Sequence, residues 1–490
     1  MTRVGARILG VVLSLVACAC AVGPNYKRPE ISAPGEVRGE TGPAQAASLA
    51  DRAWWEIFND ETLQGLIDEV LKNGYDVRVA AARVEEARAN AGIARSEFYP
   101  QIGYSAQWSR ARESGFFAPG VGTLSLHDVN LGLSWELDLW GRIRRSSESA
   151  LAQYLATEEA RRGVLLSLVA ETATDYFALR QLDLRLEIAR RTQDAFQETY
   201  DLFNRRFEAG MASSLETASA EASLAVVAAV VPQLESQVVA QENAIDLLLG
   251  RKPGPIARGA VLNDQYLPPE VPAGLPSELL QRRPDLLEAE QQLVAANANV
   301  GVAMASFFPT ISLTGAFGGI STDVSDLFAS GKTWSIAAGL TGPLFQGLRL
   351  KNQYDARVAQ WEGARALYEK AVTNAFTEVS SAVVAHQKLA DAEKELTRAV
   401  AAFREAVTLS NQRYIAGFAG YLDVLQAEQN LFPAENALAQ LRFTRLANFV
   451  QLYKALGGGW NLSDPTWVRS ASTTSAAKES PESRSEPKKE

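Results

Sequence analysis

Four side chains set the chemical options of this 490-residue chain: His127 and His386, its only histidines, and Cys18 and Cys20, its only cysteines. Neither histidine sits at metal-ligand spacing, and there is no glycine-rich loop of the kind that cradles phosphate, so catalysis and a resident metal are not expected. The cysteines offer a different chemistry. Arg3 and Arg7 precede an apolar run from Ile8 to Ala17, and Leu15-Val16-Ala17-Cys18 fits a lipoprotein signal-peptidase site. Removal of residues 1–17 would expose Cys18, whose thiol would carry a diacylglycerol and whose amino group an N-acyl chain. Cys20 is the rival: its upstream Ala17-Cys18-Ala19 suits the preference for leucine less well, yet it abuts Ala21-Val22-Gly23-Pro24-Asn25-Tyr26 directly. An ordinary secretory signal with incidental cysteines is the alternative.

No cysteine follows Cys20, so an exported chain must be stabilised by packing rather than by disulfides. With 47% hydrophobic residues it can bury a large core, and its formal charge of −9 argues against nucleic acid as a partner. No apolar stretch past the signal is expected to approach the ~20 residues of a membrane helix, which leaves β-strands as the means of crossing a bilayer.

The elements that would position any site are duplicated. Phe98-Tyr99-Pro100 returns as Phe307-Phe308-Pro309, Arg206-Phe207 with Ala209-Gly210 returns as Arg413-Tyr414 with Ala416-Gly417, and Leu249-Gly250 returns as Leu456-Gly457. A shift of about 207 residues held over so much chain points to internal duplication. Each half contains a hairpin of period two. Ile102, Tyr104, Ala106 and Trp108 alternate with polar or small residues, as do Val129, Leu131, Leu133, Trp135, Leu137 and Leu139. In the second half Ile311, Leu313 and Phe317 and then Trp334, Ile336 and Leu340 do the same. Residues 111–126 and 321–332, rich in Gly, Ser and Asp, read as external loops.

Strands of about ten residues with an apolar and a polar face suit a tilted outer-membrane strand, although a soluble sandwich strand would look similar. Four strands leave two unpaired edges that a bilayer cannot solvate, so closure requires further copies. A dimer would give a narrow, filled barrel of eight strands, whereas a trimer would give twelve and an open lumen.

Between the hairpins lie long helices. From Arg142 to Ala209 there is no proline, and about 68 residues of continuous helix would span roughly 100 Å. The stretch from Gly347 to Ala416 matches it. Leu182, Leu186, Ala189, Gln193, Phe196, Tyr200, Phe203 and Phe207 recur at steps of three and four, as do Leu389, Leu396, Val400, Phe403, Val407 and Tyr414. That spacing predicts a coiled-coil seam. Each seam ends at a glycine, Gly210 or Gly417, after which a second helix returns toward Gly250 or Gly457. Prolines from Pro253 to Pro276 mark a connecting segment, and the Ser, Glu, Lys and Pro beyond Trp467 predict a disordered tail.

In this order and spacing the chain resembles the TolC-like outer-membrane efflux proteins, in their lipoprotein branch. The resemblance is carried by Gly23-Pro24-Asn25-Tyr26 with Arg28-Pro29, by Trp54-Trp55 with Phe58 and Asp60, by Arg282-Arg283-Pro284-Asp285 leading through Glu290 to Phe307-Phe308-Pro309, and by the turns at Gly210 and Gly417. It implies a mixed α and β membrane protein: a homotrimer with a twelve-stranded barrel, four strands per chain, continued by a periplasmic helical tunnel. The implied segments are a signal at 1–17, an anchor and equatorial segment at 18–65, repeats at 66–250 and 278–457, a connector at 251–277, and an equatorial segment with tail at 458–490.

The implied role is passive conduction of small molecules from a periplasmic adaptor and an inner-membrane pump, with the resistance-nodulation-division class as the candidate for that pump. An exit duct for secreted polypeptide and a non-conducting envelope tether are the alternatives. The resemblance also implies a gate at the helical tips. Asp423 matches one acidic ring position, Gln426 stands where a second carboxylate is expected, and Ala419 stands where a supporting arginine would be. Glu216, the repeat partner of Asp423, is implied to bond Tyr414 in the closed state, and Gly210, Met211, Gly417 and Phe418 to touch the adaptor.

Overall fold

The computed structural model describes residues 21–31, 54–112, 122–265, 267 and 280–458. Cys18, Cys20, the signal and the C-terminal tail lie outside the described residues. In chain order the elements are α1 (Trp54–Ile57), α2 (Glu61–Asn73), α3 (Tyr75–Ser96), β1 (Gln101–Arg112), β2 (Thr123–Leu137), α4 (Arg142–Glu208), α5 (Ser214–Leu249), α6 (Pro284–Ala305), β3 (Thr310–Ser321), β4 (Lys332–Thr341), α7 (Arg349–Ile415) and α8 (Tyr421–Ala455), with short 3-10 turns at Leu262–Asp264 and Val324–Asp326. Two compact units are formed, one from Met1–Ile31, Ala82–Ala160 and Leu287–Ala371, the other from Ser32–Ala81, Arg161–Leu286 and Val372–Glu490.

The first unit holds one antiparallel sheet of order β1-β2-β3-β4. Register sorts the alternating residues onto two faces. Tyr104, Leu131, Phe317 and Trp334 form one cross-strand row, and Ile102, Leu133, Gly315 and Ile336 the next, all on one face. The other face carries Ser105 opposite Asn130, Gln107 opposite Asp128 and Ser134 opposite Thr314. The strands are longer than the expected ten residues: β1 has 12, β2 15 and β3 12. The first external loop is correspondingly shorter, because the ladder runs on through Ala111 opposite Leu124 to Arg112 opposite Thr123. Thr123, Leu124, Ser125 and Leu126 join the strand because each has a partner across the ladder on β1, which the composition of the segment does not show.

An N-terminal arm is stitched beneath this sheet. Tyr26 Oη donates to Glu290 at 3.1 Å, Arg28 Nε donates to the same carboxylate at 2.7 Å, and Asn297 Nδ2 donates to the Pro24 carbonyl at 2.9 Å. Arg145 donates to Asn25 Oδ1 at 2.6 Å. Gly23 lies so close to Gly301 of α6 that a Cβ on Gly23 would come within 2.6 Å of the Gly301 Cα, and a Cβ on Gly301 would come within 2.9 Å of the Arg145 side chain, which calls for glycine at each. The Val22 amide donates to the Trp140 carbonyl at 3.0 Å, and the Trp140 ring stacks on Phe308 at 4.8 Å. Asp138 accepts from the Ile143 and Arg144 amides at 3.1 and 2.8 Å and so satisfies the first turn of α4.

The second unit is helical. Leu63, Ile67 and Val70 of α2 pack with Ala173, Tyr176 and Phe177 of α4, Ile245 and Leu249 of α5, Val379 of α7 and Phe449, Leu452 and Tyr453 of α8. Each large apolar side chain buried this way contributes about 1.5–3 kcal/mol. Toward the tips the predicted seam of α4 is realised at Leu182 and Ala189 against Leu234, then at Phe196 and Phe203 against Ala220, Val227, Tyr421, Val424 and Leu425. Phe207, its last expected member, is 46% exposed, because the chain turns out of the helix just beyond it. In α7 only Val400 of the matching track is fully buried.

One expectation is corrected. By length and composition α5 is apolar enough to cross a membrane. Glu221, Ser223 and Pro232 interrupt its alanines and valines, so no uniform block is visible in the sequence. Its buried Val227 and Leu234 pack against α4 and α8, which makes it the returning arm of a helical hairpin.

Candidate gate and channel wall

The two tip turns are built alike. α4 ends at Gly210 with φ +71°, and the Met211 amide donates to the Arg206 carbonyl at 2.8 Å. α7 ends at Gly417 with φ +75°, and the Phe418 amide donates to the Arg413 carbonyl at 2.8 Å. Neither glycine is crowded, so the left-handed backbone alone calls for it. Met211 and Phe418 project from the turns, 74% and 78% exposed.

Beyond the turns the repeats diverge. Ser213 caps α5, and Glu216 closes the box: the Ser213 amide donates to Glu216 at 2.8 Å and the Glu216 amide donates to Ser213 Oγ at 3.3 Å. Gly420 caps α8 with no side chain to offer, so Asp423, at the position matching Glu216, has no such reciprocal partner at its N-cap. Asp423 and Gln426 are both exposed and lie three residues apart, on one side of the first turns of α8.

The bond implied between Glu216 and Tyr414 is not formed in this structure. Tyr414 instead accepts from Arg206, whose guanidinium also stands 5.5 Å from the centre of the Tyr414 ring. Glu216 is held by its own helix N-terminus, which competes locally for the carboxylate and wins at short sequence distance. Tyr414 belongs to an aromatic group with Phe203 at 6.4 Å and Tyr421 at 5.8 Å, and Phe203 and Tyr421 meet at 4.2 Å.

Two further carboxylates on α8 were missed in the sequence. Glu428 is pushed up to about 7 by burial, and its Oε2 has no hydrogen-bond partner. Burial and the Glu428 charge push the Tyr421 phenol up to about 12. Glu435, 4% exposed, accepts from Arg404 of α7 at 2.7 and 2.9 Å and from Arg191 of α4, tying three helices together. Local spacing does not mark Glu435, since its partners come from two other helices, nor Glu428, whose burial depends on tertiary packing. Among the histidines, His127 lies in β2 opposite Trp108, and His386 is buried beside the Phe449 ring at 6.4 Å.

A sheet with one apolar and one polar face, joined by continuous chain to long helical hairpins, defines an outer-membrane channel subunit. The chain belongs to the outer membrane efflux protein family, whose model matches residues 66–251 and 275–458. The toluene efflux pump outer membrane protein TtgC of Pseudomonas putida is 36% identical over 460 residues, covering 92% of this chain and 94% of that protein. The cation efflux system protein CusC of Escherichia coli is 33% identical over 460 residues, covering 93% and 99%. The solved MtrE outer membrane channel of Neisseria gonorrhoeae, in its open state, matches with a TM-score of 0.81 at 34% identity over 90% of this chain and 98% of that one. The outer-membrane channel OprN matches with a TM-score of 0.82 at 32% identity over 90% and 100%.

The protein is thus the outer-membrane channel component of a tripartite efflux system. Its class is a trimeric β-barrel with a long helical barrel in the periplasm, to which each chain gives four strands. Members of this family are channels rather than enzymes.

Proposed function

We propose that three copies of this chain conduct small apolar organic molecules outward, passively, from a periplasmic adaptor and an inner-membrane pump of the resistance-nodulation-division class. The sheet carries this reading: all four strands share one apolar and one polar face, as a wall between lipid and a wet lumen requires. The substrate class follows relatives named for toluene, solvent and antibiotic efflux, at 36–37% identity. Met211 and Phe418, exposed on the Gly210 and Gly417 turns, are the proposed adaptor contacts. The proposed anchor is a diacylglycerol and N-acyl chain at Cys18, with Cys20 second, embedded in outer-membrane lipid.

At the gate, Asp423 from three subunits would form a constriction that attracts cations, as like charges gathered around an axis do. Exposure of Asp423 and its freedom from a capping box support that role. Planar-bilayer recording tests it. Multivalent cations added from the periplasmic side should reduce conductance, Asp423→Asn should weaken the block, and Gln426→Asp should strengthen it; wild-type behaviour in Asp423→Asn would make this residue an ordinary solvated one. Purified protein without ion conductance would favour an envelope tether, and restored polypeptide export without restored solvent tolerance in a deletion strain would favour a secretion duct.

A further inference from the structure

The duplication gives the strand register between subunits, a contact that a single chain does not contain. Gln101 opposite Ser134 in the first hairpin corresponds to Thr310 opposite Thr341 in the second, so a shift of 209 carries β1 onto β3 and a shift of 207 carries β2 onto β4. The same 207 carries Arg142, which begins α4, onto Arg349, which begins α7. Within the chain the two repeats meet at the seam of β2 and β3, paired from His127 opposite Ser321 to Leu137 opposite Ile311. Repeat two of one subunit must meet repeat one of the next through β4 and β1, the two open edges of the sheet.

We propose that this second seam copies the first, so that Leu340 stands opposite Ala106 of the partner subunit, Ala338 opposite Trp108 of the partner subunit, Gly339 opposite Gln107 of the partner subunit and Gly342 opposite Tyr104 of the partner subunit. These pairs transpose Leu133 with Gly315, Leu131 with Phe317, Gly132 with Ala316 and Trp135 with Leu313. The proposal rests on the trimeric barrel.

Side-chain size supports the register independently. On the apolar face it sets Leu340 against alanine, Ala338 against tryptophan and Gly342 against tyrosine, so at these three positions a large group meets a small one, while further out Ile336 meets Arg110 of the partner subunit and Trp334 meets Arg112 of the partner subunit. Slipping by two residues sets Leu340 against Tyr104 or Trp108 of the partner, large on large, and leaves Ala338 against Ala106 or Arg110 of the partner. Slipping by one would turn the apolar row onto the polar face. In the single chain these edges are bare: Tyr104 is 86% exposed, Trp108 63% and Leu340 70%.

Cysteine pairs in the full chain test this. Ala106→Cys with Leu340→Cys and Gln107→Cys with Gly339→Cys are matched pairs at consecutive positions, so one of them falls at the closely spaced kind of antiparallel pair. The shifted pairs are Ala106→Cys with Ala338→Cys and Gln107→Cys with Thr341→Cys. After mild oxidation of outer membranes, a matched pair should give covalent trimer on a denaturing gel at least ~10-fold above either shifted pair and above the parent chain. Native mass spectrometry in detergent reports assembly separately. Trimers that cross-link best through a shifted pair, or through none of the four, overturn the register. A parent chain that is monomeric in detergent overturns the trimer on which it rests.

Discussion

Asp60 shows how much one carboxylate can organise. It caps α2 through the Thr62 and Leu63 amides at 2.9 and 3.2 Å, and it accepts from Tyr176 Oη at 2.8 Å, the Ala260 amide at 3.1 Å and Gln265 Nε2 at 2.9 Å. Burial pushes its carboxyl up, but the bonds from Gln265, Tyr176, Leu63 and Ala260 outweigh that and hold it below its ordinary value. A lowered carboxylate contributes stability that is present above its unfolded value near 4 and is lost as pH falls through the lower folded one. Asp60→Asn turns a donor toward donors and should cost on the order of 3 kcal/mol, while flattening the acid limb of the thermal midpoint. An unchanged acid limb in the variant would refute this assignment. Asp60 was visible in the sequence as a motif residue, yet its partners were not, because Tyr176 and Gln265 lie 116 and 205 residues away. The Ser213 and Glu216 box is legible as a Ser-x-x-Glu signature before an apolar helix. Loss of that box in Glu216→Ala should cost about 1 kcal/mol. Arg206→Ala is the variant expected to raise open probability in bilayer recordings, since Arg206 is what holds Tyr414 here.

Among the elements, α8 carries two carboxylates with opposite physics. Glu428 has a folded value near 7, raised by burial from 4.5. A raised acid contributes stability that is full below its unfolded value and is lost as pH rises through the folded one. The packing of α8 on α4 near Tyr421 should therefore loosen between about pH 5 and 7, read as faster hydrogen exchange in residues 421–428 than the pH dependence of intrinsic exchange accounts for. Glu428→Gln should abolish that excess. Glu435 behaves differently because its charge is buried while Arg191 and Arg404 remain 55% and 61% exposed. Glu435→Gln lets both arginines return to solvent and should cost only about 1 kcal/mol. Replacing both arginines by alanine strands the buried carboxylate and should cost about 3 kcal/mol, which urea unfolding of the variants can compare. Hairpins and long helices were legible because periods of two and of three to four survive in the residues themselves. The inner ends of the external loops and the apolar character of α5 were not: cross-strand pairing rescued polar residues into strand, and scattered Glu221, Ser223 and Pro232 hid the helix's composition.

For the whole molecule, the duplication works at two levels, supplying both the internal seam of the sheet and a template for closure between copies. Leu348 marks a place where the repeats differ: its φ is +67° where the first repeat has Gly141 at +81°, a conformation that costs a β-carbon about 1–2 kcal/mol. Leu348→Gly should raise the thermal midpoint of the assembled protein, and a lower midpoint would show that the leucine side chain contributes more than its backbone costs. The N-terminal arm has a consequence in time. Its bonds to α6 join residues 262 to 273 positions apart, Arg28 to Glu290 and Pro24 to Asn297 among them, against 120 for Asn25 to Arg145, so the whole first repeat must emerge before the arm can dock on α6. Contacts of such separation form late, after local hairpins and helical turns. The end of the chain made first thereby gains its fastening to α6 only after the second repeat has begun, and until then Trp140 and Arg145 are its only moorings among the contacts described. Pulsed hydrogen exchange during refolding should protect β3 and β4 before residues 24–28, and Glu290→Ala, which frees Tyr26 and Arg28, should delay that end of the arm while leaving the order of all other segments unchanged.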